Sequence, residues 1–322
     1  MASPPEPGIR RVVCLGILVA DVLARPVDEV PWGSLGLVDE VVLRGGGCAL
    51  NTSSALVRLG VAAAVVGKVG ADPFGDFLLG LLDDRGVDRR GVVVDPSVPT
   101  SASVALVSGG GERTFLHTVG ADAHVRAEEI DRALLDGAVC LHIAGALVLE
   151  ALDGEPMAGL LREARGRGLM TSLDTVFDAS GRWARIEPSL PHLDVAMPGL
   201  GEASAISGEQ EPAAIARWFR QRGVGAVAVK MGAEGCYVAG DGFEGHMPAP
   251  AVNAVDGTGA GDAFDAGLLA GLLAGRPLEE AARYACAAGA LATTAVGAFE
   301  GVGGAAETLA LAGLEGSPTE KG

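Results

Sequence analysis

Apolar residues along the chain follow two periodicities. Short unbroken apolar runs, as at residues 12–18 and 62–66, predict buried strands, whereas apolar positions three or four apart, as at 74–85 and 278–294, predict helices. Strands that alternate with helices predict a mostly parallel sheet covered on both faces, an α/β fold. The other expected strands are 139–143, 169–173, 195–197, 226–230 and 236–238, and the other expected helices are 51–59, 156–167, 202–206, 213–222 and 263–273.

Two stretches, residues 22–44 and 98–120, interrupt this alternation. The second contains strand-like runs at 102–107 and 113–117 on either side of a glycine turn at 108–112, which predicts a hairpin. We therefore expect extra β structure attached to the α/β body, and we call it the lid.

The composition is that of a folded chain. Of 322 residues, 49% are hydrophobic and 20% charged, which excludes disorder for most of the length. Nothing resembling a linker divides the sequence, so we expect a single domain over residues 10–316, with loose tails at 1–9 and 317–322.

The charge narrows the choice of partners. With 24 basic and 41 acidic residues the net charge is −17, which disfavours nucleic acid and anionic membrane surfaces as partners. A small anionic ligand is not excluded, because local N–H groups or a metal can bind phosphate inside an acidic protein.

The five cysteines are widely spaced and form no C-x-x-C pair, so neither a zinc site nor a disulfide framework is indicated. We expect reduced thiols in a cytoplasmic protein. No apolar stretch is long enough for a transmembrane helix, and no signal peptide is recognised.

The most informative segment is the glycine-rich run at residues 256–262, DGTGAGD, which leads directly into an apolar helical pattern. Glycines allow a backbone turn in which N–H groups converge, and the N-terminus of the following helix adds further donors. The run therefore predicts an anion site. Asp262 lies at its mouth, in the first helical turn, where a carboxylate can accept the proton of an attacking hydroxyl.

The string DGTGAGDAF, residues 256–264, resembles the C-terminal signature of the ribokinase-like (PfkB) carbohydrate kinase family. Residues 45–60 resemble the N-terminal signature, in which GG-x-x-x-N precedes a helix that ends in Leu-Gly, and residues 230–235 resemble the K-x-G-x-x-G segment near the nucleotide. The resemblance extends over residues 10–304. It implies a three-layer α/β/α fold with a mostly parallel central sheet and a small β-sheet lid.

The family resemblance implies ATP-dependent phosphorylation of a hydroxyl on a sugar or sugar-like molecule. Asp262 would be the catalytic base, and Asp21, in a G-x-x-x-x-D run, would bind acceptor hydroxyls. Carried over in the same way, the anion hole would be Gly259, Ala260 and Gly261, and the other acceptor-binding residues would be Gly46, Gly47, Asn51 and Asp122. His117, where the lid meets the body, is a further candidate for contact with the acceptor. Asp174 and Asp178 are candidates for lining the opening of the same site, and the alternative is that they cap local turns.

On the nucleotide side, the resemblance assigns Lys230, Gly232, Gly235 and Thr258 together with Gly259 and Gly261. Mg²⁺ would accompany ATP near Glu202 and Asp256, and a monovalent cation such as K⁺ would fit near Asp256 and Thr258. The sequence departs from the family at Gly199, where many relatives have an Asn in an Asn-x-x-Glu element.

Two other nucleotide-binding classes are not supported by the sequence. A Rossmann dehydrogenase is excluded because no G-x-G-x-x-G follows the first strand, and the Walker A string is absent. A nucleoside kinase of the same family is the nearest alternative, and a catalytically silent sugar- or nucleotide-binding protein is another. The strand edges of the lid favour a homodimer formed through it.

Overall fold

The computed structural model describes residues 11–110 and 112–315. The predicted tails, and the domain limits at 10 and 316, lie outside the described residues. Described strands are β1 Arg11–Gly16, β2 Val19–Arg25, β3 Glu40–Gly46, β4 Ala62–Gly70, β5 Asp88–Asp95, β6 Ala102–Val107, β7 Arg113–Thr118, β8 Ala138–Ala146, β9 Met170–Thr175, β10 Val195–Ala196, β11 Ala226–Lys230, β12 Cys236–Gly240 and β13 Phe243–Met247. Described α-helices are α1 Cys48–Arg58, α2 Pro73–Asp84, α3 Glu155–Gly166, α4 Leu200–Ser207, α5 Pro212–Gln221, α6 Ala260–Leu273, α7 Leu278–Ala292 and α8 Ala305–Ala312.

The large sheet has nine strands in the order β13-β12-β11-β10-β9-β8-β1-β4-β5. Pairing is parallel from β5 through β11, and only β12 and β13 add antiparallel partners. The mostly parallel sheet expected from the alternating pattern is confirmed.

The central strand β1 shows why the fold has three layers. Val12 and Cys14 pack into one hydrophobic core, together with residues of α1, α6 and α7, whereas Val13 and Leu15 pack into a second core on the opposite face, with residues of α3 and α5. Successive side chains of a strand point to opposite faces, so both faces of the sheet are buried under helices. The three-layer α/β/α fold is confirmed.

The lid is a separate four-stranded sheet in the order β3-β2-β6-β7. The hairpin β6–β7 lies where it is predicted, with Val107 opposite Arg113. The first lid segment differs in its limits, because its strands are β2 and β3 and the intervening residues 26–39 form no strand. Asp21, Ser103 and His117 occupy matched positions on β2, β6 and β7, so their side chains share one face of the lid.

Helix α1 begins at Cys48, so the prediction that it begins at residue 51 is wrong. The cause is Gly47, which has a φ of 91° and precedes the first helical residue. A Cβ at this position would collide with the carbonyl oxygen of Ile17, so only glycine permits the turn. Among the described residues, no helix has both the length and the apolar character needed to cross a membrane.

Candidate active site

The glycine-rich run forms a tight loop that ends at the N-terminus of α6. Gly259, with a φ of 75°, is the residue that precedes the helix, and a Cβ there would clash with the backbone of Ala298. A non-glycine residue would therefore be strained both by its backbone conformation and by this contact. The loop leads directly into a helix as predicted, and that helix begins at Ala260 rather than at 263.

Four backbone N–H groups of this loop donate no hydrogen bond to any residue that the structure describes. They belong to Gly257, Gly259, Gly261 and Asp262, while the N–H of Ala260 is used in a turn bond of 3.3 Å to the carbonyl of Gly257. Free N–H donors at a helix N-terminus favour the binding of an anion. Of the predicted anion-hole residues, Gly259 and Gly261 have a free N–H and Ala260 does not, and Asp262 adds a free donor that the sequence did not indicate.

Asp262 is buried in the first turn of α6, with 9% of its surface exposed. Its Oδ2 accepts a hydrogen bond of 2.8 Å from Nδ2 of Asn51, which is 211 residues away in sequence. Burial raises the pKa of Asp262 to about 6, against the lowering effect of the Asn51 hydrogen bond. A carboxylate with a pKa close to neutral can accept a proton in one step and release it in another.

Cys48, at the start of α1, lies beside this carboxylate. Its Sγ and carboxylate oxygens of Asp174 and Asp262 lie within 4.8 Å of one another. Burial raises the pKa of the Cys48 thiol well above its usual value. The thiol is therefore neutral and adds no charge next to Asp262. Sequence reasoning missed this neighbour because an isolated cysteine carries no recognisable spacing.

Lys230 ends β11 and forms a buried ion-pair cluster. Its Nζ lies 2.7 Å from Oδ1 of Asp174, on the end of β9, and 3.1 Å from Oδ2 of Asp265, on α6. Burial lowers the pKa of Lys230, but the two carboxylates outweigh it and raise the pKa above its usual range. The Lys230 ammonium is also close to the loop, since a Cβ on Gly261 would lie 3.4 Å from Nζ.

Lys230 therefore lies beside the glycine loop, but two carboxylates already neutralise its charge. Asp265 is fully buried, with 0% of its surface exposed, and sequence reasoning missed it because it reads as one polar residue within an apolar helix. Asp174 lies in this cluster, whereas Asp178 accepts hydrogen bonds from Ser180 and Arg182 and closes a local turn.

The acceptor-side candidates lie where β2, β3 and α1 meet. Asp21 is the third residue of β2, and Gly46 leaves room for its carboxylate, because a Cβ at Gly46 would collide with Oδ2. Burial raises the pKa of Asp21, and a hydrogen bond from Ser103 partly offsets this. The hydroxyl oxygen of Ser103 in turn lies 3.0 Å from Nδ1 of His117. The lid thus presents a polar row, Asp21–Ser103–His117. Ser103 was not predicted as a site residue, because it belongs to no recognisable sequence motif.

Asp122 is buried in a short 3₁₀ turn after β7. Its Oδ1 accepts a hydrogen bond of 3.1 Å from the N–H of Leu18, and its own N–H binds the hydroxyl of Ser101. Burial raises the pKa of Asp122 to about 8. The carboxyl group holds the segment between β1 and β2, directly before Asp21.

Asp256 opens the glycine loop and is surrounded by donors. Its Oδ1 accepts hydrogen bonds from the N–H and the hydroxyl of Thr258, and its Oδ2 accepts one of 2.9 Å from the N–H of Gly297. Arg113, on the lid strand β7, places its guanidinium 2.8 Å from the same Oδ1. Burial acts to raise the pKa of Asp256, but these partners outweigh it and lower the pKa to about 2.

The remaining candidates lie at other turns of the same region. Glu202 is in the first turn of α4, and its carboxylate folds back over Gly199, where any Cβ would collide with it. Gly199 therefore leaves space that the Glu202 side chain occupies. Gly232 and Gly235, with φ of 60° and 93°, frame the turn between β11 and β12 that follows Lys230. Both positions need glycine for their backbone conformation.

Comparison with known proteins gives a consistent result. A family profile described as pfkB family carbohydrate kinase matches residues 9–302. A fructokinase-2 of Oryza sativa subsp. japonica is 29% identical over 325 residues, which cover 92% of this chain and 92% of the relative. A fructokinase-2 of Zea mays is 30% identical and covers 89% of this chain.

Solved structures show the same similarity. A ribokinase II of E. coli, solved in complex with ATP and Mg²⁺, superposes with a TM-score of 0.82 at 26% identity and covers 94% of this chain and 99% of its own. A fructokinase of Vibrio cholerae O395, solved with fructose, ADP and calcium ion, has a TM-score of 0.78 at 26% identity, with 94% and 99% coverage.

Proposed function

Because this chain belongs to the pfkB family of carbohydrate kinases and is therefore a phosphotransferase with an alcohol group as acceptor, we propose that ATP is its donor and Asp262 its general base. The observation that carries the proposal is the position of the Asp262 carboxylate, buried at the N-terminus of α6 beside the free N–H groups of Gly259 and Gly261. Membership of the family confirms the predicted carbohydrate kinase class and argues against a catalytically silent binding protein.

In the proposed reaction an acceptor hydroxyl attacks the γ-phosphorus of ATP. The new bond joins the acceptor oxygen to phosphorus, the bond to the β–γ bridging oxygen breaks, and the hydroxyl proton passes to Asp262. The N–H groups of Gly259 and Gly261 stabilise the negative charge on the transferring group. ADP leaves with the electron pair of the broken bond, and Asp262 then releases its proton to water.

Mg²⁺ would neutralise charge on the β- and γ-phosphates when it is bound with ATP. Glu202, whose carboxylate lies over Gly199 at the start of α4, suits a metal that is held through water molecules. Asp256 suits it less well, because Arg113, Thr258 and Gly297 already satisfy its oxygens. On the nucleotide side, Lys230 and the turn of Gly232 and Gly235 remain the proposed neighbours.

The proposed acceptor is a polyhydroxy sugar bound between α1 and the lid. The polar row Asp21–Ser103–His117 offers acceptors and donors for hydroxyl groups, and Gly46, Gly47 and Asn51 border it. The fructokinases among the relatives make fructose the first sugar to test. ADP release measured with a panel of sugars, sugar acids, polyols and nucleosides tests the proposal, and release with none of them would refute it.

Asp21→Ala should raise the acceptor KM about tenfold to a hundredfold and leave the ATP KM nearly unchanged. A carboxylate that accepts a hydroxyl hydrogen bond contributes about 1.5–3 kcal/mol, and Asp21 lies on the lid rather than at the glycine loop. Steady-state kinetics in both substrates measures this, with Asp39→Ala, an exposed acid before β3, as the control. Equal damage to both KM values would contradict the assignment.

The rate should depend on pH through Asp262. Burial raises its pKa to about 6, and only the ionised carboxylate accepts the acceptor proton. We therefore expect kcat/KM to be constant above neutral pH and to fall with the ionised fraction of Asp262 as the pH drops through about 6. An acidic limb near pH 4, the ordinary range for Asp, would argue against a buried base.

We also propose a homodimer formed through the lid. Val41, Val104 and Leu116 are 62%, 39% and 61% exposed, and they share the lid face opposite the polar row. Apolar side chains of this size are costly to leave in water, and a second copy of the same face would cover them. Light scattering measures the mass in solution, and a monomer would refute this.

A further inference from the structure

A single side chain joins the lid to the glycine loop in a way that no sequence signature marks. Arg113 is the first residue of β7, the edge strand of the lid. Its guanidinium lies 2.8 Å from Oδ1 of Asp256 and donates a hydrogen bond to Oγ1 of Thr258, 145 residues away. Both partners lie immediately before the anion-binding N–H groups.

The partners of Arg113 are held rigidly. The side chain of Asp256 is 3% exposed, and its carboxylate also binds the N–H of Thr258 and the N–H of Gly297. Its lowered pKa, about 2, keeps it ionised. The guanidinium, which is always charged, therefore meets a fixed buried anion, and an arginine pair of this kind positions groups better than a lysine pair.

Arg113 also shares a strand with the acceptor side of the lid. His117 is four residues further along β7, on the same face of the sheet, and it hydrogen-bonds Ser103 of the polar row. One end of β7 thus faces the proposed acceptor, and the other holds the start of the glycine loop. A shift of the lid moves both.

We propose that Arg113 is a positioning residue that couples closure of the lid over the acceptor to the conformation of the glycine loop. The proposal rests on the proposed kinase function. It also argues against the expected monovalent cation near Asp256 and Thr258. A K⁺ ion bound through Oδ1 of Asp256 and Oγ1 of Thr258 would compete with the guanidinium, which lies against both oxygens. The chain supplies this positive charge itself, so its activity should be independent of K⁺.

The test compares wild type, Arg113→Ala and Arg25→Ala. Arg25 is the matched control, because it is also a lid arginine but pairs with Glu40 inside the lid. Loss of Arg113 should lower kcat at least about tenfold, since small misplacements of a reacting group cost this much or more. Added K⁺ or guanidinium ion should restore part of that loss, whereas wild type should respond to neither and Arg25→Ala should match wild type.

A wild-type kcat in Arg113→Ala would overturn the proposal, as would a wild-type enzyme that needs K⁺ or a variant that neither cation rescues. Hydrogen exchange separates this failure from failure of the kinase function. Even in a protein that phosphorylates no acceptor, Arg113→Ala must raise amide exchange both in β7 and at the hydrogen-bonded N–H groups of Thr258 and Ala260, and Arg25→Ala must not. Unchanged exchange in both segments would refute the coupling.

Discussion

Asp262→Asn should lower kcat at least about a hundredfold, because removal of a general base costs roughly 10²–10⁴ in rate. Asn has the same size and can still accept the hydrogen bond from Asn51, so the contact between α1 and α6 survives. ATP affinity should be preserved or slightly improved, since one negative charge beside the phosphates is gone. Steady-state kinetics measures kcat and the ATP KM, and thermal unfolding measures whether the fold of the variant survives.

The matched control for Asp262 is Asp76→Asn. Asp76 is also an acid in the first turn of a helix, α2, but its side chain is exposed. It should leave kcat unchanged. An Asp262→Asn protein that turns over within a few-fold of wild type would remove Asp262 from the chemistry. One that unfolds would indicate that the carboxylate serves the helix rather than the reaction.

Lys230→Met should be the most destabilising single change in the site. It removes the ammonium group from between Asp174 and Asp265 and leaves two buried carboxyl groups without a cation. Breaking a buried ion pair in this way costs about 3–5 kcal/mol of unfolding free energy. The loss should shrink as the pH falls, because protonation neutralises Asp265, whose pKa is raised by burial. Urea denaturation at two pH values measures it.

Lys68→Met is the control for Lys230. Lys68 is also buried, but its partners Asp95 and Glu129 are 23% and 36% exposed, so water can solvate them when the lysine is lost. The loss of stability should therefore be smaller. Adding Asp265→Asn to Lys230→Met should recover part of the stability by removing one of the stranded charges. Equal losses for Lys68→Met and Lys230→Met would contradict the account.

The alternation of strands and helices was predictable because it depends on local apolar periodicity. Elements without that signal were missed. Strand β5, with the sequence DRRGVVVD, lies at the sheet edge and begins with charged residues, and α8 follows a glycine-rich stretch. The start of α1 was misplaced because Asn51 looks like a helix cap, whereas the structure uses its amide for Asp262.

At the site, residues within the two glycine signatures were predictable, and residues that meet only through the fold were not. Asp262 and Gly46 could be found because glycine spacing is visible in the chain. Asp265 and Ser103 carry no spacing of their own, and each acquires its role from a partner in another element. Arg113 is the clearest case, since its contact with Thr258 spans 145 residues.

The central claim, that Asp262 drives transfer from ATP to a sugar hydroxyl, is tested most directly by product stoichiometry. Wild type and Asp262→Asn are each incubated with ATP, Mg²⁺ and fructose, and ADP and sugar phosphate are quantified by mass spectrometry, with the sugars of the panel substituted where fructose is inert. We expect equal amounts of ADP and sugar phosphate from wild type and neither product above background from the variant. ADP without sugar phosphate, or equal product from the two proteins, would contradict the claim.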